Sequence, residues 1–282
     1  MMKKIGVVGA GMMGAEIALC FAQAGFETVL SDVSMELAER GKEKQRSILD
    51  KRVSKGKLAL EDAARILSRV MPTADLHSMQ ECDLIVEAAS ERLEIKQGIF
   101  RQLDEICKAE TILASNTSSV SITKLSASVA EPRKGRFIGM HFNSPASVMK
   151  LVEIIPALLT DREVTAEIRA LLLDMQKEPV IVKDVVGFGL NRIFHAMVIE
   201  ACRLVEEGVC TSEDVDKICK YGLGHPMGVC ELLDVLSNDL VLDVENILFD
   251  AYGERFRPSQ QLIRLVDAGR LGRKTGAGFY DY

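Results

Sequence analysis

The chain has 282 residues, of which 48% are hydrophobic and 27% charged, and its formal net charge is −6. That length supports one large domain or two ordinary ones with a sizeable core. A mildly acidic chain with charges spread along it does not fit nucleic acid or an anionic membrane as partner, which leaves a small molecule. No apolar run approaches the length of a bilayer span. Glu16 and four glycines interrupt the apolar stretch behind Lys3 and Lys4, so no targeting segment is read and a cytoplasmic location, or an organelle matrix, is expected. Cys20, Cys82, Cys107, Cys202, Cys210, Cys219 and Cys230 never fall in a Cys-x-x-Cys spacing. They read as free thiols in a reducing compartment, and no metal site is expected.

In chain order, short β-branched runs alternate with longer amphipathic stretches as far as Val182. The predicted strands are Lys4 to Val8, Glu27 to Ser31, Asp83 to Glu87, Thr111 to Ser115, Arg136 to Phe142, Lys150 to Ile155 and Pro179 to Val182. Between the second and third lies a polar insertion, Glu36 to Ser68, whose Ile48, Val53, Leu58, Ile66 and Leu67 suit two exposed helices. After Val182 the pattern is helical: Asn191 to Glu207, Glu213 to Tyr221 behind a capping box of Thr211 and Asp214, Cys230 to Phe249, and Gln260 to Ala268. The change of class near Gly187 and Gly189 predicts an α/β domain over residues 1–185, with a mostly parallel sheet and helices on both faces, then an all-helical domain over 186–282.

The first predicted strand runs into Gly9-Ala10-Gly11-Met12-Met13-Gly14 and then an amphipathic helix, the context of a Rossmann dinucleotide loop. Gly9 permits the turn, Gly11 lets a pyrophosphate approach the backbone, and Gly14 lets helix and strand pack. Asp32 closes the second strand 18 residues beyond the last glycine, placed to bind ribose hydroxyls and to repel a 2′-phosphate. NAD is therefore favoured over NADP, although enzymes that bind FAD share the loop. The rest of the cofactor edge is expected at the ends of later strands, in the segments Glu87 to Glu91, with Ala88 and then Lys96, and Ser115 to Ser119, with Asn116. Either segment could instead be a helix-capping loop.

His141 ends a predicted strand at the same rim, and Glu153, twelve residues on, interrupts the next apolar run. A carboxylate in such a run needs a partner, and adjacent strands would supply His141. Oriented in this way, the imidazole suits a general base that removes a hydroxyl proton as hydride leaves; a purely structural pair is the alternative.

In this order the features resemble the 3-hydroxyacyl-CoA dehydrogenase family, and within it the short bacterial 3-hydroxybutyryl-CoA dehydrogenases. The resemblance is carried by the runs 112–119 (ILASNTSS), 148–153 (VMKLVE), 225–228 (HPMG) and 272–280 (GRKTGAGFY). It implies that His141 accepts the C3 hydroxyl proton with Glu153 orienting it, and that Ser118 and Asn191 contact substrate. It also implies that Glu91, Lys96 and Lys274 lie near the dinucleotide and that Lys51 and Lys55 meet coenzyme A. The run 141–145 reads HFNSP where the family has His-Phe-Phe-Asn-Pro, so Ser144 takes the place of an asparagine near the nicotinamide. A homodimer is also implied; Val235, Leu236, Leu240 and Val244 would serve its surface, or core packing within one chain. Two alternatives stand beside a short-chain substrate: a branched, aromatic or dicarboxylic 3-hydroxyacyl-CoA, or a regulatory protein that binds NAD and catalyses little.

Overall fold

The computed structural model describes residues Met2 to Tyr282. It divides into two compact units, Met1–Phe188 and Gly189–Tyr282.

In the first unit the strands are β1 (Lys4–Val8), β2 (Glu27–Ser31), β3 (Val70–Thr73), β4 (Leu84–Glu87), β5 (Ile112–Ser115), β6 (Phe137–Phe142), β7 (Leu151–Pro156) and β8 (Glu178–Ile181). They form one sheet in the order β3-β2-β1-β4-β5-β6-β7-β8. Every neighbouring pair is parallel except β6 and β7. The helices are α1 (Met12–Gln23), α2 (Met35–Ser54), α3 (Leu60–Ser68), α4 (Leu93–Ile106), α5 (Ile122–Ser126), α6 (Glu131–Lys134) and α7 (Arg162–Asp174). Period-2 alternation sends side chains to two cores. Ile5, Val7, Leu30, Val86 and Ile154 pack with residues of α1, α2, α3 and α7. Val8, Val29, Ile85 and Leu113 pack with Phe100 and Leu103 of α4 and with Ile122 and Leu125 of α5. This is the expected Rossmann-type sheet with helices on both faces.

The predicted strands are present with small shifts at their ends, and one was not foreseen. β3 is only Val-Met-Pro-Thr and holds the sheet's edge, the place where a proline such as Pro72 is tolerated. The polar insertion forms two helices, of which α2 buries Ala38, Gly41, Gln45 and Leu49 on one face.

The second unit comprises α8 (Leu190–Glu206), α9 (Ser212–Lys217), α10 (Val229–Leu236), α11 (Asn238–Tyr252) and α12 (Gln260–Asp267). Thr211 caps α9, accepting the Asp214 N–H at 3.2 Å. The single helix expected from Cys230 to Phe249 is broken at Ser237, whose φ is +91°. The break admits the segment 270–272, which lies against Asp234 so closely that a Cβ on Gly272 would sit 2.4 Å from the Asp234 carbonyl oxygen. The Asp234 carboxylate in turn accepts the N–H groups of Phe279 and Tyr280, at 2.9 and 3.0 Å.

Candidate active site

The strand order reverses direction between β1 and β4, and in such a sheet ligands bind beyond the carboxyl ends of the strands at that point. The glycine loop lies there. Gly9 has φ +99°, and a Cβ on it would meet the Ala88 carbonyl oxygen at 2.7 Å; a Cβ on Gly14 would lie 1.7 Å from the Gly9 carbonyl oxygen. These two glycines let loop, helix and β4 touch. Gly11 differs: a Cβ there meets nothing within 4 Å, so the loop leaves open space above its middle glycine.

The first turn of α1 holds no acidic residue and no side-chain cap, which leaves its positive end available to an anion. Met12 in that turn is exposed, whereas Met13 and Ala10 pack into the first core. Asp32 is half-buried; its carboxylate accepts the Ala10 N–H at 2.6 Å and the Val33 N–H at 2.7 Å, and each oxygen keeps a further lone pair for a ribose hydroxyl. The loop, helix end and acid thus fit a dinucleotide without a 2′-phosphate.

Behind the next two strand ends lies Glu87, which the sequence placed in a segment of the cofactor edge without assigning it partners. Glu87, with 0% exposure, accepts from Lys96 Nζ at 2.8 Å, the Ala89 N–H at 2.7 Å and Ser115 Oγ at 2.6 Å. Lys96 is itself buried, and its ammonium also lies 3.1 Å from Glu91. Burial pushes the Glu91 carboxyl up, yet Lys96, Thr117 and the N–H groups of Ser119 and Ser118 hold it below the usual carboxylate range. One Glu91 oxygen receives the Ser118 N–H at 2.7 Å and the Ser119 N–H at 2.9 Å, so it ties down the loop after β5. Asn116 accepts the Phe142 N–H at 2.8 Å, linking that loop to the end of β6. The segment Glu87 to Glu91, followed by Lys96 near the start of the next helix, was the available signal for this network.

The antiparallel pairing of β6 with β7 sets His141 directly opposite Glu153. Both are buried, and His141 Nδ1 lies 2.8 Å from a Glu153 carboxylate oxygen. The other ring nitrogen, Nε2, lies 3.2 Å from Ser118 Oγ. Phe188, not foreseen from the sequence, packs its ring 5.6 Å from the imidazole, centroid to centroid, on a backbone with φ +45°. Ser144 is exposed in the loop that follows β6.

The remaining predicted residues belong to other elements. Lys51 and Lys55 are exposed in the last turn and at the C-cap of α2. In the second unit, Asn191 is half-buried in the first turn of α8, and Lys274 is paired with Asp239 at 2.6 Å. That lysine and Ser237 hold the Asp239 carboxyl down to about 2. Among the described residues no cluster of three or more His, Cys, Asp or Glu could hold a metal ion, and no helix is long and apolar enough to cross a membrane.

A glycine-loop sheet with a buried His–Glu pair at its rim is the framework of a dinucleotide-dependent oxidoreductase. Residues 4–185 match the NAD-binding domain of 3-hydroxyacyl-CoA dehydrogenase, and residues 187–282 match its C-terminal domain. The chain belongs to the 3-hydroxyacyl-CoA dehydrogenase family, and its cofactor is NAD. It is 42% identical over 280 residues to a probable 3-hydroxybutyryl-CoA dehydrogenase of Deinococcus radiodurans, covering 99% of this chain and 100% of that one. It is 41% identical to the 3-hydroxyadipyl-CoA dehydrogenase of Escherichia coli, with 99% of this chain aligned but only 58% of that longer protein. Among solved structures, the (S)-3-hydroxybutyryl-CoA dehydrogenase of Ralstonia eutropha superposes with a TM-score of 0.95 at 38% identity, over 100% of this chain and 99% of that one.

Proposed function

We propose that the protein interconverts a short-chain (S)-3-hydroxyacyl-CoA, such as 3-hydroxybutyryl-CoA, and its 3-oxoacyl-CoA, with His141 as general base. The observation that carries this is the chain of contacts Glu153, His141, Ser118. Glu153 keeps a proton on His141 Nδ1, which leaves the Nε2 lone pair to accept one. Ser118 Oγ, a hydrogen-bond length from Nε2, marks where a substrate hydroxyl would sit. The proton of that hydroxyl passes to Nε2, and Glu153 stabilises the imidazolium that forms. Phe188 packs against one side of the ring. NAD, when bound, supplies the acceptor for the hydride. It would be held by Gly9, Ala10, Gly11, Met12, Met13, Gly14 and Asp32, with Ala88, Asn116, Ser118 and Ser144 along the other half and Glu91 and Lys96 bracing the rim. Asn191 would share the substrate contact, Lys274 would lie near the cofactor, and the exposed cations Lys51 and Lys55 suit the phosphates of coenzyme A.

The decisive experiment follows NADH consumption across a panel of 3-oxoacyl-CoA thioesters with wild type and His141→Gln. Acetoacetyl-CoA is expected to be the best substrate, and the variant to lose about two to four powers of ten in turnover. A loss below about tenfold would remove His141 from the role. The name of the E. coli relative favours one alternative arm, a dicarboxylic thioester, and a clear preference for it would replace the short-chain assignment. We also propose a homodimer, supported by Val235, Leu236 and Leu240, large apolar side chains exposed along α10 and α11. The free cysteines, nearly all buried, support a reducing, cytoplasmic setting.

A further inference from the structure

The loop 143–150 carries the chain from His141 to Glu153 and leaves the sheet at the same end as the glycine loop. Three side chains fasten it. Lys177, between α7 and β8, is buried and donates from Nζ to the carbonyl oxygens of Ala146 at 2.6 Å and Met149 at 2.9 Å. Cys20 of α1 donates its thiol to the same Ala146 oxygen at 3.3 Å. Glu16, also on α1, accepts the Ser147 N–H at 3.2 Å and its hydroxyl at 3.4 Å. A buried ammonium is costly unless its N–H groups are engaged, and here they are engaged by the main chain of one loop. The loop is thereby bound to α1, the helix that starts at the glycine loop.

In a doubly wound sheet the two halves of a dinucleotide lie on either side of the switch point. Asp32 at the end of β2 marks the adenosine side, so the nicotinamide half falls over β4, β5 and β6. The loop 143–150 borders that half directly beyond β6. We infer that Lys177 is a positioning residue for the nicotinamide half of NAD, fixing this loop by holding the carbonyls of Ala146 and Met149. The inference rests on NAD binding at the switch point and does not depend on which thioester is reduced.

The test uses full-length Lys177→Met and Glu16→Ala proteins, checked for folding by circular dichroism. Each is titrated with NADH and, separately, with ADP-ribose, which keeps the adenosine and both phosphates but lacks the nicotinamide. Lys177→Met is expected to weaken NADH about tenfold or more while ADP-ribose changes by less than about twofold. Glu16→Ala, which frees one loop residue, should act in the same direction and less strongly. A lysine with a merely structural role would weaken both ligands together. Equal losses for the two ligands, or no loss in a folded Lys177→Met protein, overturn the inference. If Lys177→Met does not fold, Glu16→Ala decides: an unchanged ratio of NADH to ADP-ribose affinity overturns it. A wild type that binds NADH yet reduces no thioester would remove the proposed reaction and leave this binding comparison intact.

Discussion

Replacing Lys96 by methionine keeps most of its volume and removes the ammonium from a site where Glu87 has no exposure. Glu87 retains the Ala89 N–H and the Ser115 hydroxyl but loses its one cationic donor, at 2.8 Å. Breaking one side of a buried pair costs about 3–5 kcal/mol, and the two surviving donors argue for the lower end, about 3 kcal/mol. For a unit of this size each kcal/mol lowers Tm by about 2–4 °C, so the loss should be about 6–12 °C by differential scanning fluorimetry. The double variant Lys96→Met with Glu87→Gln removes the stranded charge; its amide oxygen still accepts the Ala89 N–H and its amide NH2 can donate to Ser115 Oγ. It should regain at least half of the lost stability, a coupling of about 1.5 kcal/mol or more. A Tm drop in Lys96→Met of less than about 2 °C, or a double variant no more stable than the single one, would refute the claim that this pair stabilises the rim.

Two further outcomes follow from local geometry. Gly11→Ala meets no neighbour within 4 Å and should keep the wild-type Tm while losing about tenfold or more in NADH affinity, whereas Gly14→Ala, with its Cβ 1.7 Å from a carbonyl oxygen, should fold poorly. Equal Tm losses in the two would contradict the distinction. In the second unit burial pushes the Glu245 carboxyl up, against the pull of His195, so folding favours its protonated form. Its contribution is complete below the ordinary carboxylate range and is lost as pH rises through the raised value. Urea denaturation of Glu245→Gln should therefore show a gain over wild type that grows from about pH 4.5 upward, and a gap independent of pH would refute it.

The bounds of β1 and β2 were legible because a glycine loop and an acid punctuate them. His141 and Glu153 were legible because a charge inside a strand demands a partner and adjacent strands deliver one. β3 left no pattern to read: four residues with a proline cannot show alternation, and only the edge position explains it. The break at Ser237 was hidden because apolar periodicity runs on through Leu233, Leu236 and Val241. What interrupts the helix is a segment more than thirty residues away, packed against Asp234. Lys177 and Phe188 were invisible for a related reason. An ammonium that serves main-chain carbonyls has no partner residue type to betray it, and a ring packed at a tilt against an imidazole is a tertiary fact.

The facing of His141 and Glu153 is written into the β6–β7 ladder, where a slip of one residue would turn Glu153 to the other side of the sheet. The connecting loop, residues 143–150, carries neither member of the pair. It is therefore the part of the site that could be exchanged for another of the same length and different polarity with the His–Glu pair left in place. A graft of this kind would have to bring new anchors with it, because Lys177 and Glu16 grip the main chain and the serine of this particular loop. The facing pair and the anchored loop are thus separate pieces of the same strand connection.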